Sequence, residues 1–123
     1  MSFSNQETGN YGENLAVQYL ENQGLKILER NYRSHYGEID IIAIDQQCLC
    51  FVEVKTRSSH HYGSPIEAVH PRKQQRILRT AYCYIQESED ESPQRRFDIV
   101  TVDLSREWDP VIEYFPDAFE VRE

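Results

Sequence analysis

Apolar residues recur with a helical period in two parts of the chain and with a period of two in several others. Ala16, Val17 and Leu20 fall on one stripe within residues 6–23, and Gly24 follows as a stop signal, which predicts a first helix. Residues 26–33 read as a strand. Residues 38–55 hold two runs of β-type residues around Asp45-Gln46-Gln47-Cys48, a polar break short enough to close a hairpin. The polar stretch 56–64 is expected to be a loop, with Pro65 opening a short helix. Over 71–87, Ile77, Leu78, Ala81, Tyr82 and Ile85 sit at helical spacing for a core face, with Lys73, Arg76 and Arg79 on the outer face. An acidic turn at 88–94 precedes two closing strands, 97–104 and 111–115. This αβββαββ order predicts one α/β domain over residues 1–123, a mixed sheet with flanking helices, and flexible ends at 1–5 and 120–123.

The hairpin departs from an ordinary amphipathic pattern, because acids interrupt its aliphatic runs. With Gln46 and Gln47 at the turn, Ile44 stands opposite Leu49, Ile42 opposite Phe51, Asp40 opposite Glu53 and Glu38 opposite Lys55. Alternation puts all eight on one face, apolar near the turn and charged at the far end. Opposed residues have Cβ atoms about 4.5–5.5 Å apart, and like charges there are destabilising. Two carboxylates so placed need a proton, a cation or open water. Mg²⁺ suits them, because it prefers one or two carboxylates with waters and phosphate oxygens. Lys55, two residues after Glu53, would share the face and could orient or deprotonate a water. The plainer alternative is that these are solvent-facing strand residues. A loop of three or five residues would take Asp40 off the Glu53 face.

At this point the motifs resemble a known family. Gly37-Glu38-Ile39-Asp40 followed by Glu53-Val54-Lys55 is similar to the core of the PD-(D/E)XK, or restriction-endonuclease-like, nucleases, with Ile39 in place of the proline. Further motifs resemble the YraN-like bacterial family, related in fold to archaeal Holliday junction resolvases. They are Gly12-Glu13-x-x-Ala16-x-x-Tyr19-Leu20-x-x-x-Gly24, then Gly63-x-Pro65-x-Glu67-Ala68-Val69 with Lys73, then Arg96-Phe97-Asp98-Ile99-Val100. The resemblance implies a restriction-endonuclease-like core in which Asp40 and Glu53 bind Mg²⁺ or Mn²⁺ and Lys55 assists phosphodiester hydrolysis. It also implies that Glu13, on the inward stripe of the first helix, completes the metal site. From spacing alone, Glu13 serves equally well to complement the helix dipole.

Charge sets the main objection to a nucleic-acid enzyme. The net charge is −8, which repels a polyanion on average. The distribution is uneven: residues 53–84 hold six Lys and Arg against two acids, whereas residues 85–123 hold four against twelve. A basic middle could line a groove, with Arg33, Arg57, Lys73 and Arg76 as candidate phosphate contacts and Tyr36, Tyr62 and Tyr82 as stacking groups for unpaired bases. An exposed, solvated helix face accounts for Lys73, Arg76 and Arg79 equally well.

The three cysteines, Cys48, Cys50 and Cys83, have neither a zinc spacing nor an even disulfide count, and His60 and His61 have no partner spacing. No apolar run approaches the ~18 residues of a membrane span, and the first ten residues lack the pattern of a secretory signal, so a cytoplasmic location is expected. The expected function is metal-dependent endonucleolytic hydrolysis of DNA, branched or single-stranded, by a monomer or homodimer. The alternative is a nuclease-fold module that binds DNA or a protein partner without cutting.

Overall fold

A computed structural model describes residues 4–58, 69–106 and 108–121. The elements are α1 (Asn5–Asn22), β1 (Lys26–Arg33), β2 (Glu38–Asp45), β3 (Cys48–Arg57), α2 (Pro71–Ser88), β4 (Gln94–Asp103) and β5 (Val111–Phe119). Their order is the αβββαββ order expected from the sequence. Gly63, Tyr62, His60, His61 and the short helix expected at Pro65 lie outside the described residues.

Local chemistry sets the helix ends. The Ser4 hydroxyl accepts the Glu7 amide at 3.1 Å and caps α1. Gly24 takes φ +94° just beyond the last turn, a conformation that favours glycine, and Leu25 N–H closes back on Leu20 O at 3.0 Å. Pro71 opens α2 behind His70, whose Nδ1 accepts the Arg72 amide at 3.1 Å. The helix ends where Glu89 turns left-handed.

The five strands lie side by side in chain order. β3 and β4 are parallel and the other neighbours antiparallel, so α2 serves as the crossover between parallel strands. One face packs Ile41, Ala43, Val52, Val100 and Val102 against Ala16 and Leu20 of α1. The other packs Ile39, Ile42, Leu49, Phe51 and Ile99 against Ile77 and Ala81 of α2. The central strand β3 is covered on both sides, and its first six residues are all buried. Helix α1 comes close to it at Gly12, where an added Cβ would overlap the Thr56 side chain.

Several boundaries and faces differ from the expectation. β4 starts at Gln94 and β5 runs to Phe119, through Pro116 and a left-handed Asp117 whose amide is held by Asp98 Oδ1 at 2.8 Å. Tyr82, expected in the core, is 46% exposed. The buried place goes to Thr80, whose hydroxyl is satisfied by Arg76 O at 2.8 Å and Ser34 Oγ at 2.9 Å. Asp98 is wholly buried. Its carboxylate accepts from Arg96 Nε and from the Tyr114 hydroxyl at 2.5 Å, while Arg96 reaches Asp45 at 3.0 Å. Arg96 and Asp98 of the Arg96-Phe97-Asp98 motif are therefore part of a polar brace tying β2, β4 and β5.

Candidate metal-dependent active site

The inferred hairpin register holds as far as it is paired. Gln46 and Gln47 form the turn, and Ile44 faces Leu49, Ile42 faces Phe51 and Ile41 faces Val52. There the ladder stops. β2 continues to pair with β1, through Ile39 with Tyr32 and Glu38 with Arg33, while β3 continues beside β4 to Arg57. The two strands therefore fork at Asp40.

Asp40 stands in this fork. Ile39 packs on the α2 face and Ile41 on the α1 face, so strict alternation breaks between them. The Asp40 Oδ2 accepts the Val54 amide at 2.8 Å, giving a partner to a β3 N–H that the strand ladder has released. Asp40 is not laid flat against Glu53 as a paired strand residue. It still lies close enough to raise the proton affinities of both Glu53 and Glu13.

Glu53 lies beyond Phe51 on β3 with a side chain only 5% exposed. Oε2 meets Lys73 Nζ at 3.0 Å, and Oε1 is buried with no hydrogen-bond partner among the described residues. Burial, and then Asp40, outweigh Lys73 and push the Glu53 carboxyl up to about 8. Burial works to lower Lys73, but the Glu53 carboxylate overrides it and raises the ammonium. Lys73 is exposed at the start of α2, as its helical position predicts, and its ammonium nevertheless reaches the acid at the end of β3.

Lys55 and Asp40 share a cleft of about 500 Å³ with Glu13, Val54, Thr56 and residues of the first turns of α1. Partial burial lowers the Lys55 ammonium, and the charges of Lys73 and Arg57 lower it further. Glu38 does not serve as its partner. Because β2 has left β3, Glu38 pairs with Arg33 across β1 at 3.6 Å.

Glu13 points inward from α1, as its stripe position required, and is 8% exposed. Its Oε1 accepts from Arg30 Nη2 at 3.2 Å and Asn31 Nδ2 at 3.0 Å. Consecutive strand residues ordinarily face opposite ways. Asn31 has φ 52°, and this left-handed kink in β1 lets both side chains reach one oxygen. Burial raises the Glu13 carboxyl against the opposing pull of Arg30. Sequence reasoning missed Arg30 and Asn31, since a polar strand residue has no marker for the helix it will touch.

Among the described residues no three His, Cys, Asp or Glu side chains come together closely enough to hold a metal ion. Asp40 lies between the other two acids in effect, acting on both Glu53 and Glu13, and Glu13 carries its own hydrogen bonds to Arg30 and Asn31. Two carboxylates with a buried unpaired oxygen fit Mg²⁺ or Mn²⁺, hard cations that keep waters or take phosphate oxygens for the rest of their shell. Of the other basic candidates, Arg57 ends β3 two residues past Lys55, Arg33 is largely exposed, and Arg76 is exposed on α2. The exposed Tyr36 ring lies in the β1–β2 turn with Arg79 over its face at 5.7 Å.

This is an α/β fold with a five-stranded mixed sheet and a helix on each face, compatible with a restriction-endonuclease-like core, and with acids gathered where β2 and β3 part. Residues 12–102 match the model of the Uncharacterised protein family UPF0102. The chain belongs to that family. It is 46% identical over 121 residues to a UPF0102 protein of Geobacter metallireducens, covering 98% of both chains. It is 49% identical over 117 residues to one of Syntrophus aciditrophicus, covering 95% of this chain and 91% of the other. No helix among the described residues is long and apolar enough to cross a membrane.

Proposed function

We propose that this protein is a metal-dependent endonuclease of the PD-(D/E)XK type, hydrolysing phosphodiester bonds in DNA. The observation that carries the reading is the fork. Asp40 bears on Glu53 where strand pairing ends, Glu53 Oε1 is buried without a partner among the described residues, and Lys55 opens into the same cleft as Asp40. A bound Mg²⁺ or Mn²⁺ would supply a lowered water pKa and charge neutralisation at the scissile phosphate.

The chain's own groups divide the remaining work. Asp40 and Glu53 provide the anionic oxygens that hold the ion, and the Val54 amide fixes the rotation of Asp40. Lys55 is held less basic than a free lysine, which suits an amine that orients the attacking water and exchanges a proton with it. Glu13 acts from the α1 wall of the cleft that it shares with Asp40 and Lys55, and Arg30 and Asn31 hold it in place. Arg57 and Lys73 supply positive charge beside the cleft for the DNA backbone. Branched or single-stranded DNA, a cytoplasmic setting and a two-fold dimer for symmetrical cuts complete the proposal.

The alternative is a nuclease-fold module that binds without cutting. It is favoured by the net charge of −8 and by Lys73, which already meets Glu53 Oε2 at 3.0 Å. Labelled linear, single-stranded, flapped and four-way DNAs incubated with Mg²⁺, Mn²⁺ or chelator separate the two. The nuclease cuts at least one of them only with metal. A binding module retains DNA in chelator and leaves every substrate intact with metal.

A further inference from the structure

Lys73 occupies the place of a cation. It belongs to the first turn of α2, which contains no acid. A positive charge there opposes the helix dipole. The compensation comes from outside the helix, from Glu53 in contact at 3.0 Å and from the charges of Asp40 and Glu38.

The two partners differ in freedom. The Glu53 side chain is 5% exposed and rises from the central strand, whereas that of Lys73 is 46% exposed. Lys73 can swing its ammonium into solvent on a flexible stem, but Glu53 has nowhere to go. The pairing is also incomplete, since Lys73 satisfies Oε2 and Oε1 has no partner among the described residues.

We propose that Lys73 is an internal counter-cation of the Asp40–Glu53 fork, occupying the Glu53 carboxyl until a divalent ion enters and then leaving it to meet the phosphate beside the cleft. This inference rests on the reading of the fork as a cation site and adds how that site is regulated. Where Glu53 is ionised, a tethered ammonium competes with the ion, so removing its charge tightens ion binding. Removing it must also make the ion-free fold more dependent on added metal, because a buried carboxylate is then left without its partner.

Mn²⁺ binding followed by electron paramagnetic resonance in alkaline buffer, on wild type and Lys73→Met, tests this. The variant should bind Mn²⁺ at least about tenfold more tightly. Its melting temperature should fall below wild type in chelator and rise further than wild type on Mn²⁺ addition. Equal or weaker Mn²⁺ binding by the variant overturns the proposal while leaving the cation site in place.

The wild-type chain gives a second reading that does not depend on how the variant folds. It has three lysines, Lys26, Lys55 and Lys73, so their ammonium resonances can be assigned individually. Saturation with Mg²⁺ should shift the Lys73 resonance away from its ion-paired position, and an unmoved resonance in a Mg²⁺-saturated protein contradicts displacement. Absence of Mn²⁺ binding by both proteins overturns the cation site itself, and the counter-cation role with it.

Discussion

The Val54 amide donates to Asp40 Oδ2 at 2.8 Å, at the point where β2 and β3 cease to pair. One residue thus does two things: its carboxylate satisfies a main-chain donor left over by the fork, and it lines the cleft. Structure and proposed chemistry share the residue, and they can be separated by substitution.

Asp40→Asn keeps an oxygen that can accept the Val54 amide, so it should cost less than about 1 kcal/mol of stability, whereas Asp40→Ala leaves that N–H unpaired and should cost about 1–3 kcal/mol. Urea denaturation of both variants checks the ordering. Equal stabilities would mean that the Asp40–Val54 bond contributes nothing to the fold.

Glu53 makes stability pH-dependent in the direction opposite to an ordinary paired acid. Its folded carboxyl, raised to about 8, keeps a proton that the unfolded chain releases near 4.5. Between these values the folded state binds more protons, so the contribution is fully present below the lower value and is lost as pH rises through the upper one. Metal-free wild type should therefore lose stability relative to Glu53→Gln across that window, at up to about 1.4 kcal/mol per pH unit. Metal affinity should climb over the same range as the proton leaves. Denaturation of the two proteins in chelator at several pH values tests the sign, and parallel curves would contradict it.

The approach of α1 to β3 gives a contrast within one helix. An added Cβ at Gly12 overlaps Thr56, while at Gly9 it meets nothing within 4 Å. Gly12→Ala should destabilise by about 1–3 kcal/mol through overpacking. Gly9→Ala should stabilise by about 0.5–1 kcal/mol through helix propensity. Thermal melts of the pair distinguish packing from propensity, and a stabilised Gly12→Ala would refute the close approach.

Much of this arrangement was legible in the residues, because local rules dictate it. Gly24 ended α1, the polar pair Gln46-Gln47 set the hairpin register, and β1 occupies the 26–33 span that its pattern indicated. What escaped is what distant elements impose. Pairing rules alone extended the hairpin to Asp40 with Glu53 and Glu38 with Lys55. The sheet instead keeps β2 with β1 and β3 with β4, and their separation hands Glu38 to Arg33. Helical spacing put Tyr82 inside, where the structure exposes it, and it put Lys73 outside, where it is, without showing that its ammonium reaches Glu53. Nothing in the spacing of Glu13 announces Arg30 and Asn31, which reach it through a kink in a strand.

The central claim is that the Asp40–Glu53 fork with Lys55 cleaves DNA. The most direct test is single-turnover cleavage of the DNA panel in Mn²⁺ by wild type, Asp40→Asn, Lys55→Ala and Glu13→Gln, with folding confirmed for each. Wild type should cut, Asp40→Asn and Lys55→Ala should lose cleavage, and Glu13→Gln should slow it by about 10–100-fold, as expected for a group acting through its neighbours. Cleavage at the wild-type rate by Asp40→Asn and Lys55→Ala would contradict the account.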